Sequence, residues 1–434
     1  MTSSGGGRAV APVPMIVSWN LTRRCNLACG HCYLDAVRRR REPSDELDTA
    51  EACRLMDQIA ALAPGAMLVL SGGEPLLRRD LVALVKRAAA GGLAPVVGTN
   101  ATLLGACPAE ALKEAGAAGV GISVDSATPA FHDRLRGRRG AWRAAMDGIL
   151  VARRAGLPVA LQATVFDENR GELAALADLA ESLGAIALSF FFLVCTGRGV
   201  KRTDLAPAAY EAALAGIVRL QRERPQLVIR ARCAPHLRRL LGLHAGEARG
   251  AYAEWSSACL AGRSYFRITP RGQVTPCPYL PEVVGDAKAT PLREIWERHP
   301  ALVRLRTELP GGKCGDCDFR YGCGGCRARA FARRGDVMAE DPSCAYVRPA
   351  DAPPEPPPAL GSPHAVIWEP AAQALLERIP AFVRAQVAAR LEEYAANEAQ
   401  RRITVAFMRA HRPPLPSLAA RPAASPAGDE RGTP

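Results

Sequence analysis

Cys25, Cys29 and Cys32 lie within eight positions of "RRCNLACGHCY", separated by three and then two residues. A structural zinc ion takes four protein ligands, and a cubane has four irons to be ligated. Three thiolates hold three irons of a cubane and leave the fourth open. An open metal position is where a substrate or cofactor binds. The competing chemistry is a zinc knuckle completed by a distant ligand, with His31 as a candidate.

A second set comprises Cys259, Cys277, Cys314, Cys317, Cys323, Cys326 and Cys344. Its spacing is C-x12-G-x4-C, a gap, C-x2-C-x5-C-x2-C, a gap, then C, with Gly272 supplying the turn before Cys277. A zinc ribbon separates its two CxxC pairs by about fifteen residues or more. Seven thiols suit two cubanes needing eight ligands, with one position open or filled by another group. Ten of the fourteen cysteines fall in these groups, which favours metal binding in a reducing compartment over disulfides. Cys53, Cys107, Cys195 and Cys233 remain, and buried free cysteine is commonly inert. Cys195 differs because "FFFLVCTGRG" places it at the end of an apolar run. There it is a candidate for substrate binding or hydrogen transfer.

These residues need elements to hold them. Apolar runs alternate with helical patterns between about residues 15 and 235: "MIVSWN", "AMLVLSGG", "APVVGTN", "GVGISVDS", "PVALQATV" and "AIALSFFFLV". Near-continuous apolar strands separated by helices predict a parallel sheet buried on both faces. Six such units predict a partial or full barrel, with its site at the C-terminal ends of the strands. Polar residues fall at those ends: Ser71, Gly72, Gly73, Glu74 and Pro75 after the second strand, Asn100 after the third, Ser123 and Asp125 after the fourth. The two glycines allow close backbone approach to a ligand, and Glu74 can accept from an ammonium group. Turn and capping chemistry would also explain these residues.

Residues 1–14 and 413–434 are expected to be disordered, 236–258 a helical connector, 259–347 a cysteine-rich domain and 348–363 a proline-rich linker. Residues 364–412 carry a compact helical pattern, with Val383, Val387, Leu391 and Tyr394 in one apolar stripe and Thr404 as a helix cap. The chain has 434 residues, 48% of them hydrophobic, which is globular composition. No apolar run reaches membrane-span length, and no signal peptide is evident, so a cytoplasmic protein is expected. A net charge of +13 points to an anionic partner or to free use of arginine. The arginines are scattered without an aromatic stripe, so nucleic acid is not expected.

The Cx3Cx2C loop after the first strand, with "SGGEP" one unit later, resembles the radical S-adenosylmethionine (SAM) superfamily. The resemblance implies an α/β fold, a partial (β/α)6 barrel over 15–235. It implies a [4Fe–4S] cluster on Cys25, Cys29 and Cys32 whose open iron is chelated by SAM. Reductive cleavage would release a 5′-deoxyadenosyl radical. Ser71 to Pro75 would hold the SAM amino group, Asn100, Ser123 and Asp125 its ribose and carboxylate, and Arg134 in "FHDRLRG" a carboxylate. His31 would lie beside the adenine. At Cys195, relatives often have proline.

The second cysteine set, with "CGGCRARA" and "EDPSC", resembles the SPASM extension of that superfamily. It departs in having two residues between Cys323 and Cys326 where the family often has three. By resemblance, Cys314, Cys317, Cys323 and Cys344 hold an outer auxiliary cluster, and Cys259, Cys277 and Cys326 an inner one. The stretches "LVCTGRG" and "SYFRITPRGQVTPCPYLPEVVGD" look like radical SAM enzymes of haem d1 synthesis and siroheme-dependent haem synthesis. Residues 367–408 are similar to the small C-terminal domain of light-independent protochlorophyllide reductase. Together these imply modification of side chains on a carboxylate-rich iron tetrapyrrole, with a flavodoxin or ferredoxin as electron donor. The alternatives are a peptide maturase, although the winged-helix module that often grips a precursor is missing before the first strand, and an iron–sulfur electron carrier or sensor. A carrier needs no SAM pocket.

Overall fold

The computed structural model describes residues 12–36, 45–202, 204–243, 259–354, 366–377, 387–388, 391–392, 394–395, 398 and 400–411. The expected disordered ends, most of the 236–258 connector, the second half of the proline-rich linker and Val383 lie outside the described residues.

Seven strands run parallel in chain order: β1 (Ile16–Thr22), β2 (Met67–Gly72), β3 (Ala94–Thr99), β4 (Gly119–Ser123), β5 (Val159–Val165), β6 (Ala187–Phe192) and β7 (Val228–Arg232). Helices connect them: α1 (Thr49–Leu62), α2 (Leu81–Ala90), α3 (Ala106–Glu114), α4 (Pro129–Arg136) with α5 (Ala141–Arg154), α6 (Leu173–Ser182) and α7 (Pro207–Glu223). The first six strands and their helices are the α/β repeat expected from the apolar runs.

The sheet then grows at both edges. β7, "VIRAR", adds beside β6. It offers no apolar run because Arg230 and Arg232 occupy one of its faces. On the other edge β8 (Tyr265–Ile268) pairs parallel with β1, so the sheet runs on into the cysteine-rich region. β9 (Gln273–Thr275) and β10 (Gly285–Asp286) follow antiparallel. The order β10-β9-β8-β1-β2-β3-β4-β5-β6-β7 leaves two edges, so the barrel is open.

Burial on both faces was expected, and here the structure differs. Val17, Trp19, Leu68, Leu70, Leu161, Phe190, Ile229 and Phe266 point out of the sheet into the helix-packed core. The opposite face carries Ser18, Ser71, Gln162, Ser189, Arg230, Tyr265 and Arg267, and most of these are only half-buried. Register places Ser18 beside Arg267, Gln162 beside Ser189, and Ser189 beside Arg230. A partial barrel has an inner face that lines a lumen, so it alternates where a closed or flat buried sheet would not.

The C-terminal stretch forms its own core of Ala372, Leu376, Val387, Leu391, Ala395, Ile403 and Met408, with Tyr394 packed against it. β11 (Ile367–Trp368) pairs with β12 (Arg402–Ile403). Thr404 caps the helix Val405–Ala410, its hydroxyl accepting from the Phe407 N–H at 3.0 Å.

Candidate active site

The loop bearing Cys25, Cys29 and Cys32 leaves the C-terminal end of β1 and is tied down from three sides. The N–H groups of Ala28 and Gly30 donate to the carbonyls of Arg136 and Leu135 at the end of α4. Glu74 N–H donates to the Arg24 carbonyl at 2.7 Å, and Gly73 N–H to that of Thr22 at 2.7 Å. Arg198 closes the third side, its Nε donating to the Cys29 carbonyl at 2.8 Å and its backbone N–H to that of Cys32 at 3.0 Å. The two glycines of "SGGEP" are needed for close approach. A Cβ on Gly73 would lie 2.0 Å from the Arg24 oxygen, and one on Gly72, at φ +138°, 2.5 Å from that of Thr22.

The polar residues at the strand ends are placed unevenly. Asp125 is buried; its Oδ1 accepts from the Thr164 N–H at 2.8 Å, and its Oδ2 pairs with Arg136 at 2.6 Å. Burial alone would raise its pKa, but Arg136, His31 and His132 outweigh that and hold it below the usual carboxylate range. His31 Nε2 lies 3.4 Å from the same carboxylate, and burial pushes its pKa down to about 4, so the ring is neutral at pH 7. Ser71 lies on the lumen face beneath Gly98, and Ser123 ends β4 half-buried.

Three of the expected residues turn to protein partners. Arg134 is exposed, its guanidinium 5.5 Å from the Phe131 ring. Arg136 is the inward arginine: Nη1 donates to Cys29 Sγ at 3.7 Å while Nη2 pairs with Asp125. Helix phase could have found it, because His132, Leu135 and Arg136 share one buried face at i, i+3 and i+4. Glu74 is wholly buried. Its oxygens accept from the Thr99 hydroxyl (2.7 Å), the Asn100 N–H (2.9 Å) and the Leu76 N–H (3.1 Å), and the carboxylate caps the short turn Pro75–Leu77. Enclosure raises its pKa to about 6. It braces the strand ends from behind. Asn100 likewise spends its amide on protein, accepting from Thr102 and donating to Asn26 at 2.9 Å.

Cys195 follows β6 and packs partly buried against Leu135, Phe166 and Leu193. Burial and then the Asp204 carboxylate push its thiol pKa up. A neutral thiol there suits hydrogen-atom transfer better than nucleophilic attack.

Several buried polar atoms beside the first loop lack partners: Asn20 Oδ1, His31 Nδ1 and Arg136 Nε. Buried polar groups are normally satisfied. A zwitterionic, ribose-bearing cofactor against Cys25, Cys29 and Cys32 would supply what they need. The residues therefore fit SAM with a cluster.

In the second cysteine set, Cys314, Cys317, Cys323 and Cys344 line one small cavity, partly open to solvent, together with Arg239, Lys313 and Tyr346. Gly325, at φ +68°, closes against it, since a Cβ would meet Cys314 Sγ at 3.0 Å. Cys259, Cys277 and Cys326 lie together in a separate apolar cluster with Cys233, Tyr265 and Tyr279. Asp341, from "EDPSC", joins the two sets. Its N–H donates to Cys314 Sγ at 3.4 Å, and its Oδ2 accepts from the Cys326 N–H at 2.7 Å. Arg329 pairs with the same oxygen at 3.3 Å, and the two charges compensate each other in a buried place. Among the described residues no three Cys, His, Asp or Glu side chains converge on a single-ion site. Two groups of several thiols each suit multi-iron clusters better than single ions.

Comparison with known proteins matches this arrangement. The family model described as "Radical SAM superfamily" matches residues 19–180, that described as "Iron-sulfur cluster-binding domain" (SPASM) 259–318, and that described as "Proto-chlorophyllide reductase 57 kD subunit" 368–412. The AdoMet-dependent heme synthase of Methanosarcina barkeri is 37% identical over 346 residues, covering 78% of this chain and 98% of that one. The pre-heme d1 synthase of Dinoroseobacter shibae is 33% identical, covering 77% and 86%. Among solved structures, Streptococcus suis SuiB bound to precursor peptide SuiA superposes with a TM-score of 0.63 at 16% identity, covering 78% and 77%; that likeness concerns the fold.

Proposed function

The chain belongs to the radical SAM superfamily and carries the SPASM iron–sulfur extension, and from that premise we propose that it modifies peripheral side chains of an iron tetrapyrrole. Its cofactors are SAM and [4Fe–4S] clusters. The observation that carries the substrate reading is the 37% identity extending over 98% of a heme synthase. The lumen supports it. Arg230 and Arg232 lie on the inner face of β7, at one edge of the sheet, and Arg267 on that of β8, next to β1. Arginine pairs bidentately with carboxylate, and a siroheme-derived macrocycle carries several.

When bound, the first cluster and SAM supply a 5′-deoxyadenosyl radical. The protein's part is positional. Cys25, Cys29 and Cys32 would hold three irons, and Ser71–Gly73 would present backbone groups to the SAM methionine. Asp125 and Arg136, already paired with each other, hold the cofactor's polar end, and neutral His31 lies at its side. Tyr33 follows Cys32 and hydrogen-bonds Asn20 at 3.0 Å, and its ring packs against Tyr279 at 5.2 Å, giving the lumen a wall that excludes water. The outer thiols, in their partly open cavity beside Lys313, suit electron entry from a small carrier such as a flavodoxin or ferredoxin.

The test is anaerobic incubation with SAM, dithionite and candidate iron tetrapyrroles, read by mass spectrometry. A product lighter than its substrate by the lost side-chain atoms, formed with 5′-deoxyadenosine, is expected. SAM cleavage that no tetrapyrrole accelerates, with a precursor peptide modified instead, would overturn the reading. Arg267→Gln should raise KM for the tetrapyrrole roughly tenfold or more, the loss of one charged hydrogen bond. Substrate-free 5′-deoxyadenosine release should be unchanged.

A further inference from the structure

The second cysteine set counts seven thiols for two clusters that need eight. Cys314, Cys317, Cys323 and Cys344 already make four around one cavity. The inner group of Cys259, Cys277 and Cys326 is one short, and an eighth cysteine outside the motif stands among them. We propose that Cys233 is the fourth ligand of the inner cluster and leaves it without an open iron.

Cys233 follows β7 directly, at the C-terminal end of the strand, where an α/β barrel carries its site. It packs in the same apolar cluster as Cys259, Cys277 and Cys326. Its thiol is close enough to those of Cys277 and Cys326 for electrostatic interaction. Tyr279 packs in the same cluster as Cys233, and its N–H donates to Cys277 Sγ at 3.3 Å.

The backbone is the second observation. Cys233 has φ +56°, the left-handed region that a residue with a Cβ rarely adopts. Two hydrogen bonds to its carbonyl hold it there, from the Tyr210 hydroxyl at 3.0 Å and from Arg329 Nη1 at 3.2 Å. Arg329 lies on the helix Arg327–Arg334, which Cys326 immediately precedes, so the clamp is built from the inner group's own element. A cysteine kept only for packing has no use for such a turn. Strain held by its surroundings is a mark of function.

On loading, the thiol releases its proton and its sulfur gives an electron pair to the fourth iron, with no change of oxidation state in the ligand. The consequence is that the inner cluster passes electrons and does not ligate substrate. The inference rests on reading the second cysteine set as two cubanes.

The test uses full-length protein with Cys25, Cys29 and Cys32 replaced by Ala, so that only auxiliary clusters form. This parent should hold about eight irons, two cubanes' worth. Ferricyanide should release little iron from it, and imidazole should leave its reduced EPR spectrum unchanged. Adding Cys233→Ala should expose one iron. Ferricyanide should then release about one iron per chain with a three-iron EPR signal, and imidazole should shift the spectrum. Cys233→Ser, with an oxygen donor in place, should lie between. Iron release equal to the parent's in Cys233→Ala would overturn the inference, as would imidazole perturbing the parent. If Cys233→Ala loads no inner cluster, the parent's response to imidazole decides alone: silence supports closure, a shift refutes it. A parent without iron would instead bring down the two-cubane reading itself.

Discussion

At the scale of the residue, two carboxylates and a histidine show how enclosure redistributes roles. Asp125 is kept ionised by Arg136, and Glu74 is enclosed with its oxygens turned to protein donors. Glu74→Ala should therefore act on the fold as well as on SAM. It leaves the Thr99 hydroxyl and two N–H groups buried without acceptors, at about 1–3 kcal/mol each. Urea unfolding of the metal-free chain should show a loss of at least about 3 kcal/mol; an unchanged midpoint would return the carboxylate to a ligand-facing role. His132 is buried, its Nδ1 accepting from the Asp125 N–H at 3.3 Å, and burial lowers its pKa from 6.5 to about 4. The unfolded chain then takes up a proton that the folded chain refuses. The contribution is present above pH 6.5 and is lost as pH falls towards 4, by about 3 kcal/mol in total. His132→Asn keeps an acceptor but no titrating group. Its unfolding free energy should fall less than wild type between pH 6.5 and 4.5, and equal slopes would refute the assignment.

At the scale of the element, the first cysteine loop is positioned by backbone contacts with β2, α4 and the turn after β6. The β2 contact tolerates no side chain at Gly73, where a Cβ would overlap the Arg24 carbonyl. Gly73→Ala should push the loop from its seat while leaving the distant auxiliary sets alone. Reconstituted Gly73→Ala should lose about four irons, one cubane, and its SAM cleavage. Full iron with full SAM cleavage would show that the loop adapts.

At the scale of the whole molecule, the sheet joins what the cysteine spacing divides. β8 completes the barrel edge against β1, and Asp341 and Arg329 bind the two auxiliary sets to the end of the barrel. Wild-type protein reconstituted anaerobically should hold about twelve irons, and content near four would sink the two auxiliary clusters. The C-terminal stretch has a core of its own. Removing residues 352–434 should leave that iron content and slow substrate-free SAM cleavage in place. If the stretch holds tetrapyrrole, substrate-dependent turnover should drop sharply; equal turnover would make it an assembly element.

What the sequence determined by itself was everything carried by local spacing. Cys25, Cys29 and Cys32, "SGGEP" and the six apolar runs are each legible within a few residues, because ligand geometry and strand ends impose short, fixed separations. Thr404 as a helix cap was legible for the same reason. What only the tertiary structure decided were meetings across the chain: Arg136 at Cys29, Arg198 at the same loop, β8 at β1, and Cys233 among Cys259, Cys277 and Cys326. β7 escaped notice because its lumen face is arginine, so it lacks the apolar run by which a strand is recognised. The charge of Glu74 is visible in the sequence, while its enclosure comes from Thr99 and Asn100 on the neighbouring strand. Spacing along the chain specifies which groups can hold a metal; only the packing of distant segments specifies which way each group faces.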